Sequence, residues 1–431
     1  MKATMLCRSR KADWRGAERP GFIQRGGDGL AVSAPGQPMQ TASQPRRRKG
    51  SGRMDRLGVL LLFLGPLACG AQQTELITRA EGFGAIARGG GGGPVIEVTN
   101  LRDSGPGSLR EALARRGPRI IRFAVAGTIE LQSPLVVTEG QVTLDGETAP
   151  GQGITLRNHG LHFRGDCKDI IVRHLRIRVT TGGSSGDALL FWGTDGGTVE
   201  RVRVEHCSLM GATDENVNTW GRVRDVTFQW TIIAEGRPPH SKGWLSGSGS
   251  DRITIHHCLF AHNADRNPRV AGGLYDVVNN VIYNWSHHNA AKIGAGARVN
   301  FRGNVFLPGP QSTADQACIL PEDPEQGTRL YLEENLTPLT PTGAEDQWRN
   351  VTWYQRLGDR WIEHRPAPDC FRADKPFTVA PVTKHPAREA CELVLSRAGP
   401  GVRDADDQRV IEEVRARIRS FLRGPAASAS R

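Results

Sequence analysis

The chain has 431 residues, 38% of them hydrophobic, with 56 Lys+Arg against 45 Asp+Glu and a formal charge of +11. The basic excess is local: residues 1–71 hold 13 basic and 4 acidic side chains, and the rest of the chain holds 43 and 41. The body therefore offers no general surface for a polyanion such as nucleic acid, and no apolar run reaches the ~18–20 residues of a membrane span.

Residues 1–53 are rich in Arg, Gly, Pro and Gln without sustained periodicity, and read as a disordered leader, with Met54 as a plausible start of translation. Residues 54–71 follow the plan of a signal peptide. Arg53 and Arg56 precede the apolar run Leu57 to Ala68, and the small residues Cys69, Gly70 and Ala71 follow it. Export is expected, with Cys69 a possible lipid anchor. Six cysteines remain beyond the leader, with no metal-binding spacing; Cys370 and Cys391, both in the tail, are the expected disulfide pair.

Ser108 followed by Glu111 forms a capping box that opens a short helix, suited to lid the end of a solenoid. From residue 169 to residue 306 one strand pattern recurs, as IIVRHLRI, VRVEHCSL, VTFQWTII, ITIHHCLF, VVNNVI and VNFRGNVF. The anchors Val172, Val204, Phe228, Ile255, Val277 and Phe301 recur every 22 to 32 residues. Alternation at period two means strand, and a recurrence of about two dozen residues means stacked coils sharing one interior. Three residues past each anchor come Leu175, Cys207, Thr231, Cys258, Asn280 and Asn304, a column in which the asparagines can hydrogen-bond between coils. An antiparallel sandwich would need hairpin turns every 8–12 residues, and these are absent. Residues 310–385 read as irregular. Residues 387–396 and 406–422 read as helices, the second placing Val410, Ile411, Val414, Ile418 and Phe421 on a face that packs against the solenoid. The expected organisation is an all-β parallel β-helix over residues 72–345, with an N-terminal capping helix, and a partly helical C-terminal tail over residues 346–431.

Several ordered segments carry a resemblance. GFGAIARGGGGGPVIEVTNLRDSGPGSLREAL, TLDGETAPGQGITL, EHCSLMGATDENVN, HSKGWL and IHHCLFAHNADRNPRV, with a tail echo in AGPGVRDADDQRVIEEVR, resemble the pectate lyases of polysaccharide lyase family 1. The resemblance implies a right-handed parallel β-helix that cleaves galacturonan by calcium-assisted β-elimination. In that reaction a base removes the C5 proton of a uronate, and the oxygen at C4 leaves. The charge that builds on the carboxylate calls for a hard cation with oxygen ligands and a further positive side chain.

Carried over residue by residue, the resemblance implies Asp187, Asp214 and Asn218 as calcium ligands. Lys242 would grip the substrate carboxylate, Arg266 would be the base, and Arg269 a substrate contact. A guanidinium is an unusual base because it ordinarily keeps its proton. Glu215 adjoins Asp214 but, in a regular strand, would face the other way. Ser185, Asn218 and Ala271 stand where many members carry an acid, an Asp and an Arg, which weakens the implied calcium and substrate binding. Trp244 and Trp285 are expected to stack on sugar rings, with Trp192 and Trp220 as further aromatic candidates. His206, His256 and His257 read as packing or hydrogen-bonding residues rather than ligands. The expected partner is an anionic polysaccharide such as pectate; no nucleic acid and no stable membrane span are expected, and the chain is expected to be a monomer. A polygalacturonase with paired Asp carboxylates lacks its motifs in the solenoid. A secreted β-helix that binds polysaccharide without cleaving it is the alternative.

Overall fold

A computed structural model describes residues 79–181, 186–194, 196–313 and 316–422. The leader, the signal-peptide segment, Cys69 and Ser185 lie outside the described residues.

The period-two segments form a parallel solenoid. One strand from each coil joins a ten-stranded sheet running from Val95–Val98 to Arg329–Glu333, and two eight-stranded sheets form the other walls. The anchors read from sequence stack in register, Val172 on Val204, Phe228, Ile255, Val277 and Phe301, all with no exposed surface. At about 2 kcal/mol for each large apolar side chain buried, this continuous interior is the main drive for coiling.

Each coil turns sharply between the ten-stranded sheet and its neighbour. His174, His206, Trp230, His257 and Asn279 occupy that turn, all in the left-handed conformation. The expected ladder lies next to them. Asn280 Nδ2 donates to Asn304 Oδ1 at 3.0 Å, and Asn304 Nδ2 donates to Asn335 Oδ1 at 2.9 Å, so the column runs one coil further than the sequence pattern showed. The histidines have structural work here: His174 stacks on His206, and His206 Nδ1 meets the carbonyls of Arg397 and Gly399.

Helix α1 (Leu109–Ala114) closes the N-terminal end. Ser108 Oγ accepts from Glu111 N, and Leu109, Ala112 and Leu113 are buried in the main core. The tail holds α2 (Ala387–Arg397) and α3 (Ala405–Leu422). Val410, Ile411, Val414 and Ile418 bury against Ile232, Leu259, Val281 and Val305 of one solenoid wall, as the sequence pattern implied. Arg178 fixes the start of α3 through Asp404 and Asp407, at 2.8 and 3.0 Å.

Two expectations are corrected. Residues 310–385 are not irregular throughout: Ala317–Pro321 and Arg329–Glu333 extend the solenoid, and Trp353–Leu357 pairs antiparallel with Arg360–His364. Pro and Trp obscured the alternation there. Cys370 and Cys391 are not a pair, because Cys391 is a free thiol buried on the inner face of α2.

Candidate active site

The eight-stranded sheet containing Leu189–Gly193, Glu215–Gly221, Lys242–Ser246 and Arg269–Ala271 carries the implied chemistry at its strand starts. Asp187 precedes the first of these strands, Asp214 the second, and Asp265 and Arg266 the fourth. Ligand oxygens of Asp187, Asp214 and Glu215 lie within 4.8 Å of one another. Asn218 Nδ2 donates to Asp187 Oδ2 at 3.2 Å and to Glu215 Oε2 at 3.4 Å. His240 Nδ1 sits 2.6 Å from Asp214 Oδ1.

Glu215 is therefore inside the cluster, contrary to the strand-alternation expectation. Period-two alternation applies only once a strand is under way, and Asp214–Glu215 is where the chain leaves a bend to enter one. Arg266 Nη1 is hydrogen-bonded to Glu215 Oε1. Lys242 is the cross-strand partner of Glu215, and its Nζ reaches both carboxylate oxygens of Asp265 at 3.1 Å and His287 Nδ1 at 3.1 Å. Asp187, Asp214, Asn218, Lys242 and Arg266 thus converge. Arg269 lies farther along the outer row Asn218, Leu245, Arg269, two strands or ~10 Å from Asn218.

Buried asparagines hold these loops. Asn216 Nδ2 donates to Asn263 Oδ1 at 3.0 Å, and Asn263 Nδ2 donates to Asn267 Oδ1 at 3.0 Å, tying the Asp214, Lys242 and Arg266 loops together. Gly243 follows Lys242 because a Cβ there would collide with Asn267 Oδ1 and the Arg266 carbonyl. Sequence reasoning turned Glu215 away from the site and missed Asp265, His240 and His287; the run Asn263-Ala264-Asp265-Arg266-Asn267 was the available signal for Asp265.

The electrostatics divide the site in two. Burial pushes the carboxyls of Asp187 and Glu215 well up; the Glu215 amide and Asn218 oppose this at Asp187, and Arg266 opposes it at Glu215, while Asp214 adds to both shifts. Burial also opposes ionisation of Asp265. There the His287 hydrogen bond and the Lys242 and Arg266 charges win, and the carboxyl is held down to about 2. The first half is a crowded acidic set short of positive charge. Asn218 turns its Nδ2 to these carboxylates and leaves its Oδ1 buried without a hydrogen-bond partner; with the amide reversed, three carboxylates and one amide oxygen fit a hard cation such as calcium.

The structure corrects the aromatic expectation. Trp244 and Trp285 are 0% and 1% exposed and belong to the solenoid core, so neither can stack on a polymer outside it. Both alternate inward; their positions beside the cleft in sequence did not reveal the face.

Comparison with known proteins agrees with this architecture. A protein named probable pectate lyase C from Aspergillus flavus is 42% identical over 238 residues, 54% of each chain. A probable pectate lyase P56 from Solanum lycopersicum is 28% identical over 304 residues, 64% of this chain and 68% of that one. The match spans 54% of the Aspergillus flavus relative's length and 68% of the Solanum lycopersicum relative's. Among solved structures, the cedar pollen allergen Jun a 1 superposes with a TM-score of 0.54 at 20% identity, covering 76% of this chain and 94% of that one. The fold is the pectate lyase β-helix. Pectate lyase C from Erwinia chrysanthemi, solved with calcium, superposes with a TM-score of 0.50 at 16% identity, covering 76% and 98%. No family model matches the chain. Among the described residues, no helix is long and apolar enough to cross a membrane.

Proposed function

We propose that the protein is an exported lyase that cleaves pectate or a closely related polyuronate by calcium-assisted β-elimination. The observation that carries the reading is the meeting of an oxygen-only acidic cluster with Lys242 and Arg266 at adjacent strand starts of one sheet. Export rests on the layout of residues 54–71.

Asp187, Asp214, Glu215 and Asn218 would hold calcium, which supplies charge to hold the substrate carboxylate and to stabilise the carbanion-like transition state. Lys242 orients the same carboxylate. Its ammonium is already committed to Asp265, so the substrate shares it rather than meeting a free charge. Arg266 is held by Glu215 in the ligand-free protein. Were Glu215 committed wholly to the cluster, Arg266 would lose the partner that holds its proton, and the positive charge of calcium and Lys242 nearby would favour the neutral form that can take the C5 proton. The C5–H electrons then form the C4=C5 bond while the C4–O bond breaks; the leaving oxygen takes a proton from water, and the hydroxide left takes the C5 proton from Arg266. Buried walls around Asp265 and Glu215 strengthen each of these charge interactions.

The test is ultraviolet absorbance of the conjugated unsaturated product during incubation with polygalacturonate and calcium. A rise that EDTA abolishes and Arg266→Ala removes supports the reading. Retention of the polymer with no rise supports the second reading, a binder without chemistry, for which Ala271 in the place of a further arginine is the specific pointer.

A further inference from the structure

Beyond the acidic cluster, the outer face of the same sheet carries an unexplained row. Arg164, Trp192 and Trp220 are cross-strand partners on three successive coils. Trp192 and Trp220 are 37% and 42% exposed, where Trp244 of the same sheet is shut away. Trp220 lies against Gly247, where any side chain would enter the indole. Two features set the row apart from incidental surface. The Arg164 guanidinium stands over the Trp192 ring at 5.4 Å from its centroid, and Arg164 Nε is buried without a hydrogen-bond partner. Its Nη2 meets only His162 Nδ1, at 3.4 Å, and among the described residues no carboxylate pairs with it. An open cavity of about 760 Å³ lies over this point, lined by Val136, Thr138, Arg164, Asp166, Trp192 and Thr194.

An exposed indole offers a flat apolar face to the C–H face of a sugar ring, and an arginine offers a fork to a carboxylate. Their juxtaposition matches one sugar acid. Asn218 and Trp220 are two residues apart on one face, ~7 Å, and each further strand adds ~4.8 Å toward Arg164. Trp220, Trp192 and Arg164 thus stand ~7, ~8 and ~12 Å from Asn218, beside the acidic cluster on the same continuous wall.

We propose that Arg164, Trp192 and Trp220 form a neighbouring subsite that holds a non-reacting uronate residue of the polymer being cleaved, stacking its ring on the indoles and pairing its carboxylate with Arg164. This rests on the polyuronate reading above. The subsite makes affinity depend on chain length while leaving the chemical step untouched.

The test compares wild type with Trp192→Ala, Trp192→Phe and Arg164→Gln. These positions are at the surface, and unchanged thermal unfolding midpoints establish that each variant is folded. On long polygalacturonate, Trp192→Ala and Arg164→Gln should raise KM about five- to tenfold with kcat nearly constant. Trp192→Phe should retain most of the polymer affinity. An unchanged KM on the polymer, or an equal fall in kcat, overturns the subsite. A second measurement separates this from the lyase reading: retardation of each variant in gels containing polygalacturonate without calcium. If wild type cleaves nothing but is retarded, and the double variant Trp192→Ala/Arg164→Gln is not, the lyase reading fails and the subsite stands. If wild type and double variant migrate alike, the subsite is wrong whether or not cleavage occurs.

Discussion

Replacing Asp265 with Asn removes the counter-charge beneath the groove. Lys242 and Asp265 are 3.1 Å apart, with side chains only 10% and 19% exposed, so the pair is largely shielded from solvent. The Asp265 carboxyl is held at about 2 against an ordinary 3.8; burial works the other way, but the His287 hydrogen bond and the Lys242 and Arg266 charges exceed it. That depression corresponds to about 2 kcal/mol of folding stability. Because the folded-state value lies below the unfolded one, this stability is present above pH ~4 and fades as pH falls through the folded-state value. Leaving Lys242 mostly buried without its partner adds about 1–2 kcal/mol of cost. Urea unfolding at pH 7 should therefore show Asp265→Asn less stable by about 3 kcal/mol, and Lys242→Met by a similar amount. The double variant should lose far less than the two together, with a coupling of about 2 kcal/mol. Costs that add to within about 0.5 kcal/mol would refute the claim that the two side chains neutralise each other.

Three further outcomes follow from the geometry. Asn304→Ala removes an amide that bonds Asn280, Val277 and Asn335 in the buried ladder, and should cost about 3–5 kcal/mol in denaturant unfolding; a cost under about 1 kcal/mol would show the ladder to be energetically idle. Burial lowers His174 to about 3, with the His206 and Arg173 charges assisting, and lowers His256 to about 4 against the opposing Glu81 charge, so the folded state resists protons that the unfolded chain accepts. Stability should thus be full above pH ~6.5 and fall as pH drops toward 4, and His174→Asn, a residue type that accepts the left-handed turn, should flatten part of that fall. Glu215→Gln should weaken calcium binding by about tenfold or more in isothermal titration, since affinity follows ligand charge; unchanged affinity would remove Glu215 from the ligand set.

How much of this was legible beforehand follows from the length scale of each signal. The solenoid was readable because every coil repeats one local pattern, and register followed from aligning Val172 through Phe301. The α3 stripe was readable for the same reason. Glu215 and Asp265 were not, since both lie at strand entries where alternation has not begun and where only the folded coils show which loops meet. The tryptophans failed differently. Trp192 and Trp220 differ from Trp244 and Trp285 only in the face they occupy, and a Trp beside Gly or Asn gives no hint of that face. Cys391 was misread because its neighbours in the α2 core are far apart in sequence.

The central claim is that Arg266, Lys242 and the acidic cluster break a bond by elimination rather than by adding water. Mass spectrometry of the fragments released from a defined galacturonate oligomer tests this most directly. The account predicts complementary fragments whose masses sum to that of the parent, one of them unsaturated, and none in the presence of EDTA. Fragments that together exceed the parent by one water would contradict it.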